Sequence, residues 1–138
     1  MTGFLVDTNV ISEIRRGTRA HPSVVSWFDA QQGADLWLSV LTIGEIRHGI
    51  ARLRRRDPES AMTIARWLDS VVSDFGDRIL PVTTEVAERW AELGLEAPVP
   101  VIDGLLAATA MEHDLTIATR NVADVERTGV PFVNPWST

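Results

Sequence analysis

Four acidic residues occupy the same kind of place along this chain. Asp7 closes the apolar run Phe4-Leu5-Val6, and Glu45 lies in the first turn of a helical stretch that follows Leu36-Trp37-Leu38. Asp103 opens a helical stretch that is apolar almost all round, and Asp124 stands in the segment after Leu115-Thr116-Ile117-Ala118, close to Asn121. Carboxylates brought together repel and raise one another's pKa unless a cation intervenes. An all-oxygen set suits a hard ion, Mg²⁺ or Mn²⁺, rather than zinc. The chain has no cysteine, and His21, His48 and His113 show no spacing that suggests a metal pair. Magnesium takes one or two protein carboxylates directly and keeps several waters; such a site acidifies water and neutralises phosphate charge. That chemistry serves metal-assisted phosphodiester cleavage, and carboxylates around Mg²⁺ also serve phosphatases and phosphorelays.

Each acid has a purely structural alternative. Asp7 can cap the helix that follows it, since Asp is a good N-cap. Thr42-x-x-Glu45 has capping-box spacing, with Glu45 reaching back to the Thr42 amide. Asp103 can complement the dipole of its helix. An acid in the first turn of so apolar a helix is partly desolvated, however, and an unpaired charge there is costly. Asp124 reads as a solvated loop acid.

The elements that must position these groups follow from periodicity. Phe4–Val6 is a short buried strand. Asn9–Arg16 is helical and stops at Gly17; Pro22-Ser23 opens a second helix that fades at Gln31–Gly33; Leu36–Leu38 is a second strand. A third helix runs from about Thr42, with Leu41, Ile46, Ile50 and Leu53 as its stripe and arginines opposite. Asp57-Pro58-Glu59 is a strong helix start, and Ala61, Ile64, Ala65, Leu68, Val72 and Phe75 give the fourth helix a core-facing stripe ending at Gly76-Asp77. Arg78–Val82 reads as a third strand, a fifth helix from Thr84 buries Val86, Trp90 and Leu93, and Pro98–Val101 is extended. Ile102–His113 is a buried helix, its alanines permitting close approach to a sheet; Leu115–Ala118 and Pro131–Val133 complete five strands. Strands alternating with helices imply a parallel sheet flanked by helices. In such a sheet ligands bind at the carboxyl ends of the strands, where the four acids would meet.

At 138 residues, 45% of them apolar, the chain reads as a single domain over residues 1–138 with no need of staples. Neither a signal peptide nor a membrane span is expected, so a cytoplasmic protein is the default. The net charge is −6 and all 13 basic residues are arginine. A net acidic chain is not the usual nucleic-acid binder, but Arg47–Arg56 holds five arginines and a histidine, so local clustering leaves the question open.

Four pieces in series resemble the PIN-domain ribonucleases, above all the VapC-type toxins of toxin–antitoxin pairs and their FitB-like branch. They are Leu5-Val6-Asp7-Thr8-Asn9-Val10, Ser39-x-x-Thr42-x-x-Glu45-Ile46, Ile102-Asp103-x-Leu105-x-Ala107-x-x-Ala110 and Thr119-Arg120-Asn121-x-x-Asp124. The resemblance implies a three-layer α/β/α sandwich around a mainly parallel sheet and a Mg²⁺-dependent endoribonuclease. It makes Asp7, Glu45 and Asp103 the acidic core, Asp7 and Asp103 the first metal ligands, and Thr8, Asn9 and Thr119 polar support. Where many members carry a fourth carboxylate this chain has Asn121, which leaves two alternatives: Asp124 substitutes for it, or a three-carboxylate site holds one metal firmly and a second only with substrate. The resemblance further implies a homodimer, and a cognate antitoxin that threads a peptide over the acidic site and carries any operator-DNA binding. The stripe faces of the third and fourth helices are candidate surfaces for it. Arg47, Arg52 and Arg120 are the candidate RNA contacts, while Arg54, Arg55 and Arg56 read as a solvated helix end. Of the five tryptophans only Trp136 is a candidate for a partner role.

Two other classes compete. A binding module on the same fold, acting as the partner half of a DNA-binding regulatory complex, is kept open by Asn121. A phosphorelay receiver or aspartyl phosphatase is disfavoured: the phosphatase's second acid would fall at Asn9, and no lysine is present to clamp a phosphoryl group.

Overall fold

The computed structural model describes residues 3–137; residues 1, 2 and 138 of the expected domain lie outside that span. In chain order the elements are β1 (Gly3–Val6), α1 (Thr8–Arg15), α2 (Pro22–Ala30), β2 (Leu36–Ser39), α3 (Val40–Arg54) and α4 (Pro58–Phe75). They continue with β3 (Ile79–Leu80), α5 (Thr84–Trp90), α6 (Val101–Glu112), β4 (Leu115–Ala118), α7 (Val122–Glu126) and β5 (Phe132–Val133). The five strands form one sheet in the order β3-β2-β1-β4-β5, and every neighbouring pair is parallel.

Side chains alternate across the pleat, and the alternation separates two cores. Val6, Leu36, Leu38 and Ala118 face a core filled from α1 to α4 by Val10, Ile11, Val24, Trp27, Ile46, Ile50, Ala61, Leu68 and Val71. Leu5, Leu80, Leu115 and Ile117 face the other, against Leu106, Ala107 and Ala110 of α6 and Val125 of α7. The result is the α/β/α sandwich that the resemblance implies. In α6, Ala107, Ala108 and Ala110 are fully buried, and Gly104 is packed so tightly that a Cβ there would stand 3.0 Å from the Trp90 ring.

Several boundaries differ from the sequence reading, each for a local reason. Helix α3 begins at Val40, capped by Ser39, whose Oγ accepts from the Leu41 amide at 3.0 Å. The Thr42–Glu45 capping box therefore does not form: both residues lie inside the helix. Thr42 is fully buried, and its hydroxyl finds no partner among the described residues. Strand β3 is shorter than Arg78–Val82, because 76–78 coil into a 3₁₀ turn and Pro81 has no amide to donate to a ladder. Trp90 is 37% exposed rather than core, since α5 ends at that residue. Asp124 is not in a loop: α7 forms around it and places it in a first helical turn. The start of α4 is as the sequence implies, with the Asp57 carboxylate accepting from the Ser60 amide at 3.1 Å and Pro58 in the first turn.

Candidate active site

Because the strands run parallel, β1, β2 and β4 all end on one edge of the sheet. Val6 pairs with Ala118, so Asp7 and Thr119 leave the sheet side by side, and the Asp7 amide donates to the Ala118 carbonyl at 2.9 Å. Asp7 is only 5% exposed. Its Oδ1 accepts from the Thr8 amide at 2.7 Å, and its Oδ2 from the Thr119 hydroxyl at 2.7 Å and Asn9 Nδ2 at 3.4 Å. Asp7 thus caps α1 while lying at the carboxyl edge of the sheet, where the sequence reading expects the site. Burial pushes its pKa above the ordinary value, opposed by the bonds from Thr119, Thr8 and Asn9 in that order.

Thr119 is fully buried and its hydroxyl is committed three ways. It donates to Asp7 while accepting from the Asn121 amide at 3.0 Å and from Asn9 Nδ2 at 3.4 Å. A hydroxyl has one hydrogen and two lone pairs, so the Asp7 oxygen is the only acceptor its proton can serve. Asn9 completes the frame, its Oδ1 accepting from the Arg120 amide at 3.2 Å. On the other side the Thr8 hydroxyl donates to Glu45 Oε1 at 2.6 Å, joining the first turns of α1 and α3.

Asp103, half-buried in the first turn of α6, reports the convergence of the four acids. Its pKa is pushed up to about 6, first by burial and then by the negative charges of Asp7, Asp124 and Glu45. The sheet edge therefore brings Asp7, Glu45 and Asp103 together with Asp124 beside them, the last also paired with Arg127 at 3.8 Å. Asn121 lies at the rim, its side chain exposed. Among the described residues no three Asp, Glu or His side chains close to chelating distance around one point. A ligand cage made only of protein is not built here; the donor set fits Mg²⁺, which needs one or two carboxylates and completes its shell with water.

The arginine candidates scatter. Arg47 is ion-paired with Asp69 of α4, and both side chains stay exposed. Arg52 lies exposed in the last turn of α3, about two turns beyond Glu45. Only Arg120 is tied to the acid network, through its backbone bond to Asn9. Ser39 has a role that the sequence reading left out, namely capping α3; a serine directly after an apolar run is the signal for it. From Thr8 and Glu45 a groove of about 340 Å³ runs past Ile46, Ile50, Leu53 and Trp67 to Arg56.

A parallel five-stranded sandwich with acids at the carboxyl edge defines the class, and the chain belongs to the PIN domain family, whose model matches residues 4–129. Particular relatives are close. The chain is 36% identical to Toxin FitB of Neisseria gonorrhoeae, over 96% of this chain and 98% of that protein. It is 32% identical to the VapC ribonuclease Y4jK of Sinorhizobium fredii, over 96% and 97%. A solved structure of FitAB bound to an IR36 DNA fragment superposes with a TM-score of 0.88 at 33% identity, covering 96% of this chain and 95% of that one.

Proposed function

We propose that this protein is a Mg²⁺-dependent endoribonuclease toxin, held in check by a cognate antitoxin. The observation that carries the reading is the gathering of Asp7, Glu45 and Asp103 from three distant segments onto one sheet edge, close enough that their charges raise the Asp103 pKa. Relatives named as a toxin and as a VapC ribonuclease, and a relative's complex with DNA, support it.

Asp7 and Asp103 would hold the ion, with Mn²⁺ as an alternative and Glu45 joining them directly or through water. A bound Mg²⁺ would supply Lewis acidity toward the phosphate and make water more acidic. The chain's own residues do the positioning. Thr119 and Asn9 fix the plane of the Asp7 carboxylate, and the Thr8 hydroxyl fixes Glu45. Such preorientation is what places reacting atoms in line.

For the antitoxin, the stripe faces of α3 and α4 are largely consumed against each other and the core. The groove between α1, α3 and α4 remains, running from Glu45 to Arg56, and we assign the antitoxin peptide to it. Operator DNA would be reached only through that partner. A homodimer is supported by apolar side chains left in solvent, Leu95 at 79% and Val101 at 58% exposure. No helix among the described residues is long and apolar enough to cross a membrane.

The exposed amide at Asn121, where many members carry an acid, favours a second reading, a binding module with little nuclease activity. One experiment separates the two. Antitoxin-free protein is incubated with a mixed RNA pool and Mg²⁺ or Mn²⁺, with chelator and Asp103→Asn controls. Cleavage lost in both controls supports the nuclease; intact RNA under every condition supports the binding module.

A further inference from the structure

Next to the Arg120–Asn9 bond lies an open cleft of about 370 Å³ whose wall includes Glu13, Arg16, Arg19, His21, Arg120 and Trp136. Its charge is opposite to that of the acidic edge and of the chain as a whole, which carries −6. Three arginines face a single carboxylate, and that carboxylate is already taken. Glu13 accepts from Arg16 Nη1 with both oxygens, at 3.2 and 3.0 Å, and from the His21 amide at 2.8 Å. Those bonds, the His21 amide first, hold its pKa below the ordinary value. Arg19 and Arg120 have no acidic partner among the described residues. The Arg120 guanidinium is nevertheless held in place, lying over the Trp136 ring at 5.1 Å from its centroid. Trp136 packs its other contacts against the core, so it serves as a backing plate. Arg120 is otherwise exposed. His21 Nδ1 accepts from the Ser23 amide at 3.1 Å, which leaves Nε2 as the donor of the neutral ring.

This cleft is joined to the acid cluster by two bonds: the Arg120 amide donates to Asn9 Oδ1, and Asn9 Nδ2 donates to Asp7 Oδ2. A polyanion bound with one phosphate at the acidic edge meets repulsion there, and cations beside that edge offset it. Guanidinium groups bind phosphate as a fork and also stack on unpaired bases.

We propose that the Arg19–Arg120–His21 cleft is a subsite for single-stranded RNA, holding the phosphate of a nucleotide flanking the scissile bond, with Trp136 positioning Arg120. The proposal rests on the ribonuclease reading for its direction toward the acids, but its test does not require cleavage. Binding of the full chain to a fluorescein-labelled single-stranded RNA of mixed sequence is followed by anisotropy in chelator, over a range of salt. Each phosphate contact contributes about 0.7 to the slope of log K against log salt for single strands. Arg19→Ala/Arg120→Ala is expected to flatten that slope by about 0.7, the share of the one phosphate held in the cleft, and Arg19→Lys/Arg120→Lys to restore most of it. Both positions are exposed, and an unchanged melting temperature verifies the fold. Where RNA is cleaved, the double alanine variant is expected to lose efficiency through KM rather than kcat.

An unchanged slope in the double alanine variant overturns the subsite, even if the wild-type chain cleaves RNA and the nuclease reading stands. A flattened slope without any cleavage keeps the subsite and removes the nuclease. If the variant binds RNA normally but loses binding to a glutamate-rich peptide, the cleft docks an acidic protein segment and the proposal fails.

Discussion

Replacing Asp103 by asparagine tests whether the acids form one electrostatic unit. In the folded chain the Asp103 pKa is raised from 3.8 to about 6, so the native state binds this proton more tightly than the unfolded chain does. Stability is then favoured at low pH and lost as pH rises from about 4 through about 6, with the full penalty present above that. Two units correspond to about 3 kcal/mol at most. The carboxyl is only half-buried, and solvent screening reduces that to about 1–2 kcal/mol. For a chain of 138 residues this is roughly 5 °C in melting temperature. Asp103→Asn abolishes the charge but keeps the shape. Thermal unfolding in chelator should therefore show the variant melting about 5 °C above wild type near pH 8, the gap closing near pH 4. Mg²⁺ at about ten times its Kd should raise wild-type stability by about 1.4 kcal/mol through mass action and should do far less for the variant. A variant that melts below wild type at pH 8, or a gap that ignores pH, would refute the claim that Asp7, Glu45 and Asp124 burden Asp103 with their charge.

Asp7→Asn should end cleavage as well, but unlike Asp103→Asn it should cost about 1–2 kcal/mol of stability by chemical denaturation. Its new amide nitrogen would face the Thr119 hydroxyl and Asn9 Nδ2, which now donate to a carboxylate oxygen. Thr119→Val keeps the volume while removing the acceptor of the Asn121 amide and the donor to Asp7; denaturant titration should show a loss of about 1–3 kcal/mol, and single-turnover RNA cleavage a drop in rate. Ser39→Ala should cost about 1 kcal/mol as the lost cap of α3. Thr42→Val should be neutral or stabilising, because its hydroxyl is buried without a partner; a real capping box at Thr42 would reverse that order. Glu45→Gln should leave unfolding nearly unchanged, since Glu45 is exposed, while lowering the cleavage rate.

The acidic candidates, the order of the five strands and of α1 to α6, and the burial of β1 were legible in the linear chain, whereas α7, read as a loop, was not. Short-range chemistry decides them: apolar periodicity, proline at a first turn, a glycine closing a helix. Asp57-Pro58 and Gly76 bound α4 as their residue types require. What tertiary structure alone decided is which neighbour each polar group meets. Asp7 owes its orientation to a hydroxyl 112 positions away, because β4 lies directly against β1 in the sheet although two strands and six α-helices separate them in sequence order. Glu45 turns to Thr8 instead of its own helix, since Ser39 starts that helix earlier. Arg120 and Trp136 meet because both follow strands at the β4–β5 side of the sheet. Periodicity records whether a residue is buried, and it carries no information about the partner, since parallel crossovers place beside one another segments that local sequence never compares.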